Sequence, residues 1–196
     1  TPNPKFYPSK NLLEILIDYS HAEGDFQWSV AQHPYPESLF EPKTWLDQKV
    51  DFTFSTPLIT FKNIEVLDAW IKKPENKYRG TIKRTLWLSE NGTNSKTYGE
   101  QDLKEQAAGF AYTWKKLKRL DGIDGFQWHN WFDDRGEGGL RIGLRRFPDD
   151  EQDPGGRKPV WFVYQAADTD QEDAVFEPYK SVIGISNWSE VVHTVQ

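Results

Sequence analysis

The chain contains no cysteine and no methionine. Without cysteine there is no disulfide, no thiolate nucleophile and no Cys-ligated zinc, and the redox compartment stays open. Without methionine, residue 1 is not an initiator. Thr1-Pro2-Asn3-Pro4 reads as a linker or as the middle of a longer polypeptide, and any signal peptide is expected upstream. Long apolar runs are also missing. The stretch 12–17 is interrupted by Glu14, far short of the roughly 20 residues that span a bilayer. Nor is there an excess of cations: 24 Lys+Arg stand against 30 Asp+Glu, for a net charge of −6. Such a chain has no electrostatic reason to seek nucleic acid or anionic membrane, so neither is expected as a partner.

What remains is a chain of 196 residues, enough for one domain of ordinary size. It is rich in rings: 15% of residues are aromatic, including 9 Trp. Most of these serve a core, although Trp and Tyr also stack on the apolar faces of sugars.

Periodicity divides the chain into alternating elements. Ser9 is placed to cap a helix with the stripe Leu12, Leu13, Leu16 and Ile17, stopped near Gly24. Residues 26–32 read as a buried strand, followed by the turn His33-Pro34-Tyr35-Pro36, where proline ends sheet pairing. Residues 51–55 suggest a short extended piece. Asn63 is a good cap for a helix through Ile64, Leu67 and Ile71 that ends at Lys73-Pro74. Residues 84–89 form the clearest strand, running into the turn-rich Glu90-Asn91-Gly92. A long helix is expected from about Glu100 to Arg119, a strand over 123–128, a short hairpin strand over 140–144, and a helix opened by Pro159. The tail from 172 onward reads as short helical pieces.

Strands alternating with helices mean parallel βα units, three of them here. The long loops follow strands, as in a TIM barrel, whose site is built from its βα loops. No strand is followed by the glycine-rich phosphate turn of a Rossmann sheet.

At this point the residues resemble a known superfamily. His33-Pro34-Tyr35 after a strand and Leu86-Trp87-Leu88-Ser89-Glu90 at a strand end are the first two segments. Phe126-Gln127-Trp128-His129-Asn130-Trp131-Phe132-Asp133-Asp134 and Arg157-Lys158-Pro159-Val160-Trp161 follow. In this order they resemble strands six to eight of the clan A (β/α)8-barrel glycoside hydrolases and the helix after strand eight. An uncharacterised bacterial TIM-barrel family of that superfamily is more similar still, sharing the stretch Glu-Gly-Gly-Leu-Arg-Ile-Gly-Leu-Arg at 137–145. The resemblance implies an α/β fold in which residues 1–196 are the C-terminal part of a single TIM-barrel domain. The missing N-terminal half is then expected from the same polypeptide or a second chain. It also implies a bacterial, secreted or periplasmic protein acting on a polysaccharide or oligosaccharide.

Glu90 takes the position of the superfamily's nucleophile. Retaining glycosidases need two carboxyl groups about 5 Å apart. The acid/base that the superfamily carries as an Asn-Glu strand end is absent here, so the resemblance places it upstream. His33 and Tyr35 are candidates for binding the nucleophile or a sugar hydroxyl. Trp128, His129 and Trp131 are candidates for the sugar platform, and Trp87 and Asp134 for substrate binding. Asp133, Asp134 and Glu137 read as loop charges that follow the strand over 123–128 on the same face. Arg135, Arg141, Arg145 and Arg146 are expected to pair with local acids rather than bind a sulfate or uronate.

The acidic run 149–153 lacks the spacing of a calcium loop, and the four histidines are scattered. No metal or cofactor is expected. Two sequons, Asn91-Gly-Thr93 and Asn187-Trp-Ser189, raise a conflict, because a glycan on Asn91 would obstruct the site. A non-catalytic carbohydrate-binding barrel is the alternative function.

Overall fold

The computed structural model describes residues 8–196, so the Thr1-Pro2-Asn3-Pro4 reading lies outside the described residues. The elements run α1 (Ser9–Ala22), β1 (Val30–Gln32), α2 (Ile64–Lys72), β2 (Leu86–Asn91), α3 (Glu100–Leu117), β3 (Gly125–Trp128), α4 (Pro159–Ala166), α5 (Glu172–Phe176) and α6 (Tyr179–Ile183). The strands form a parallel sheet in the order β1-β2-β3, with Val30 opposite Leu86 and Leu88 opposite Phe126. Helices lie between consecutive strands, the crossover that parallel pairing requires. The fold is therefore mixed α/β with parallel βα units. No described helix is long and apolar enough to cross a membrane.

Several boundaries differ from the sequence reading, each for a visible reason. Pro8, not Ser9, occupies the cap of α1, and Ser9 is its first helical residue. Asn63 does cap α2, but its side chain accepts from the Thr60 amide at 2.9 Å and donates to the carbonyls of Asp51 and Leu58. Residues 51–55 are turns tied by Asp51, which accepts from the Thr53 amide at 2.8 Å. No strand forms over 140–144. The carbonyls of Arg141, Ile142 and Gly143 are taken by the Gln106 side-chain amide instead.

One face of the sheet is packed. Val30, Leu86 and Leu88 are buried with Phe61, Ile64, Leu67 and Ile71 of the α2 region. Farther along, Phe110 of α3 meets Phe126, Trp128 and Phe176 at centroid distances of 6.0, 5.2 and 6.3 Å. Burying a ring of that size stabilises by about 1.5–3 kcal/mol. The other face is bare. Ala31, Trp87 and Gln127 are exposed, Trp87 by 46%. A parallel sheet ordinarily has both faces covered.

Two buried ion pairs fix the periphery. Arg84, fully buried just before β2, pairs with Asp25, donates to the carbonyls of Phe26 and Asn76, and lies 4.5 Å from the Trp28 ring. Glu172 ties α5 to α3, accepting from Lys115, Lys118, the Trp114 indole and the Asp168 amide. Burial alone would raise its carboxyl. Lys115, the Asp168 amide, Trp114 and Lys118 outweigh burial and hold it at about 2, against an ordinary 4.5.

A carboxyl with a depressed folded pKa binds fewer protons in the native state than in the unfolded one. Its contribution is complete above pH about 4.5 and is lost as pH falls toward about 2. Urea midpoints measured across this window should fall for the parent and fall less steeply for Glu172→Gln. Parallel slopes would show that Glu172 contributes no such linkage.

Candidate functional site

Glu90 stands near the C-terminal end of the central strand. Strict alternation would turn it to the same side as Leu86 and Leu88, into the helix-packed core. The register prevents this. Leu88 pairs with Phe126 and Asn91 with Trp128, so Ser89 and Glu90 together oppose Gln127 alone. This is a β-bulge, a device that re-aims a side chain at a strand end. Glu90 is left half-buried, and its Oε1 accepts from the Tyr35 hydroxyl at 3.0 Å. One residue earlier, Ser89 Oγ lies 3.2 Å from His33 Nε2. The loop after β1 thus reaches the end of β2 with both of its candidate residues. Burial, the hydrogen bond to Glu90 and the charges of Glu90 and Glu137 all push the Tyr35 phenol up, so it stays protonated as a donor.

The loop after β3 is bound tightly to the loop after β2. The His129 amide donates to Asn91 O at 2.7 Å, Ser95 N to Arg141 O at 2.9 Å, and Arg141 N to Asn94 Oδ1 at 2.7 Å. Gly92 makes the approach possible. A Cβ there would come within 2.3 Å of Ile142 Cγ2 and 2.7 Å of His129 O. At Gly143 a Cβ would meet the backbone of Phe132 and Asp133 at 2.3 and 2.4 Å. By contrast, Gly138 and Gly139, at the loop's outer turn, have positive φ and open space around them.

Beneath this loop Asp133 and Lys158 form a buried pair at 2.9 Å, with both side chains inaccessible. Tyr98 OH donates to Asp133 at 2.8 Å, and Lys158 also donates to Arg141 O at 3.0 Å. Burial pushes the Lys158 ammonium down and the Asp133 carboxyl up, and the attraction between the two opposes both shifts.

The remaining candidates are dispersed. His129 Nε2 lies 2.7 Å from Glu137 Oε1, which also accepts from Asn130 Nδ2 at 3.3 Å. Trp87 lies on the bare sheet face against Gly125, where an added Cβ would sit 2.4 Å from its ring. Trp128 packs on Phe110, and its indole N–H donates to Ile142 O at 3.0 Å, so its ring belongs to the core. Trp131 is 52% exposed and edge-on to Trp161. It lines an open hollow of about 410 Å³ with Asp134, Phe147 and Asp149. Asp134 itself accepts from the Gly136 amide in a turn.

Four arginines of this loop are engaged locally, and a fifth, Arg157, is exposed over the Trp161 ring at 5.1 Å. Arg135 pairs with Asp149 and Arg146 with Asp150, while Arg141 and Arg145 donate to backbone carbonyls. Asn91 and Thr93 are fully buried, so the fold leaves no room for a glycan on this sequon. Asn187 is exposed. Among the described residues no group of three or more His, Asp or Glu is placed to hold a metal ion.

Glu137, read from the sequence as a loop charge, is held by His129 and Asn130. Its one visible signal was membership of a strand-end loop next to His129.

Comparison with known proteins agrees with this architecture. A solved family 39 glycoside hydrolase from the gut symbiont Bacteroides cellulosilyticus WH2 superposes with a TM-score of 0.50 at 18% sequence identity. The match covers 82% of this chain and 30% of that one. At that identity the likeness is one of fold, and the chain spans under a third of the hydrolase's length. No curated protein matches. The family described as "Family of unknown function (DUF5722)" matches over residues 1–191, and the chain belongs to it.

Proposed function

We propose that this chain carries the strand-end carboxylate site of a retaining glycoside hydrolase, with Glu90 as nucleophile. The observation that supports it most is the bulge that turns Glu90 out of the core and against the Tyr35 hydroxyl at 3.0 Å. A nucleophile has to be ionised and rigid, and a strand end supplies the rigidity. Glu90 Oε2 is the attacking atom in this reading, since Oε1 is held by Tyr35. It forms a bond to the anomeric carbon as the bond to the leaving oxygen breaks, and a second carboxyl group protonates that oxygen. Water then attacks the same carbon, giving its proton to the second carboxylate, and the bond to Glu90 breaks with net retention.

We assign the second carboxyl group to a segment outside this chain. The bare sheet face of Ala31, Trp87 and Gln127 is where the remaining strands of a barrel would close over the site. These would come from the same polypeptide or a second chain.

The test is to incubate the complete protein with neutral plant and bacterial polysaccharides and follow the first-formed anomer by proton NMR. Release of a product with the parent anomeric configuration is expected. Inversion would remove the nucleophile role. Saturable glycan binding with no cleavage would favour a carbohydrate-binding protein.

A further inference from the structure

Glu90 and Glu137 are alike in a way their chemistry makes meaningful. Each has one carboxylate oxygen held by protein donors: Tyr35 for Glu90, and His129 with Asn130 for Glu137. Among the described residues neither second oxygen has a hydrogen-bond donor, and both side chains are half-buried rather than sealed. The two come from different loops, yet Tyr35 feels both charges. Geometry links them as well, because Glu137 lies 2.7 Å from the ring nitrogen of His129. The His129 amide is bound to Asn91 O, next to Glu90, so the loop that carries Glu137 is tied to the strand that carries Glu90.

We propose that Glu137 is a substrate-binding carboxylate of the Glu90 site, accepting hydrogen bonds from ring hydroxyls of an uncharged sugar. This rests on the glycosidase reading of Glu90. Sugar hydroxyls are donors, and an ionised acceptor held in place by His129 and Asn130 binds them more strongly than a neutral one. The charge balance sets the class. Two carboxylates stand at this strand end, and of the five arginines of the β3–α4 loop four are engaged by Asp149, Asp150 or backbone carbonyls, while the fifth, Arg157, is exposed over the Trp161 ring. A uronate or sulfated sugar would bring a further negative charge against Glu90 and Glu137, neither of which has an arginine partner among the described residues.

The experiment has two arms. In the complete protein with Glu90→Gln, which leaves sugars uncut, calorimetry with cellotetraose, xylotetraose, mannotetraose and tetragalacturonate should show binding of at least one neutral tetrasaccharide. Tetragalacturonate should bind at least tenfold more weakly. Adding Glu137→Ala should weaken the neutral sugar by roughly 10- to 100-fold, while Glu137→Gln, which keeps one acceptor, should lie between. In the otherwise unaltered protein, Glu137→Gln should raise KM about tenfold with kcat within threefold of the parent. Unchanged affinity in a Glu137 variant that keeps the parent melting temperature would overturn the proposal. So would preferred binding of tetragalacturonate, or no binding of any neutral tetrasaccharide. A collapse of kcat with loss of the basic limb of the pH profile would make Glu137 the general acid instead. Failure of the Glu90 reading is separable, because it appears as retained hydrolysis in Glu90→Gln whatever Glu137 does.

Discussion

Replacing Glu90 by glutamine in the complete protein is expected to lower kcat by at least roughly 1000-fold, with sugar affinity and unfolding midpoint nearly unchanged. The amide keeps the side chain's shape and can still accept from Tyr35 through its carbonyl oxygen. What it loses is the negative charge that attacks, or stabilises, an oxocarbenium-like centre. An interaction made only in the transition state shows its loss in kcat rather than in binding. The smaller Glu90→Ala leaves room for an external anion, and azide is expected to restore part of the turnover with that variant. Near-parental turnover in Glu90→Gln would make Glu90 a structural acceptor for Tyr35 and nothing more.

The second large effect concerns stability. Asp133→Ala leaves the Lys158 ammonium inaccessible to water and without its carboxylate. Breaking a buried pair from one side typically costs about 3–5 kcal/mol. Lys158→Met should cost a similar amount by stranding Asp133, although Tyr98 still donates to it. The double variant Asp133→Ala/Lys158→Met removes both buried charges, so it should cost much less than the sum of the singles. Urea unfolding of the three variants decides this. Additive costs would show that the pair is not coupled. Because the pair lies under the loop that carries His129 and Glu137, the singles should also weaken sugar binding. Glu90→Gln should not.

The architecture was legible in the sequence because its signals are local. The stripe Leu103, Ala107, Phe110, Trp114 and Leu117 marks α3, Pro159 opens α4, and Lys73-Pro74 closes α2. Alternation also placed Phe126 and Trp128 on one face. The strand ends were not legible. Residues 84–89 look extended, yet the ladder runs from Leu86 to Asn91, because Arg84 is drawn away to Asp25, Phe26 and Asn76. Glu90-Asn91-Gly92 has the composition of a turn, but Glu90 and Asn91 continue the strand through a bulge, which depends on how Trp128 registers across the sheet. Likewise β1 is confined to Val30–Gln32, since the Phe26 carbonyl serves Arg84 rather than a neighbouring strand.

The site was half legible. His33, Tyr35 and Glu90 could be named from their positions after strands, and the structure brings Tyr35 onto Glu90. Trp128 was expected at a sugar platform, and its ring is instead committed to Phe110 and Ile142. Glu137 was lost among neighbouring acids. What distinguishes it is the contact with His129 and Asn130, made by a loop path that no local pattern records.

The glycines of this region divide the cleft into a part that can vary and a part that cannot. Gly92 and Gly143 sit where two loops touch backbone to backbone, so any side chain there displaces the floor itself. Gly138 and Gly139 stand free at the turn just past Glu137. Glycan preference among relatives should therefore diverge through the length and shape of that outer turn, which leaves the floor and its carboxylate in register. A library aimed at new sugar specificity would do best to lengthen the chain between Glu137 and Leu140 and leave positions 92 and 143 untouched.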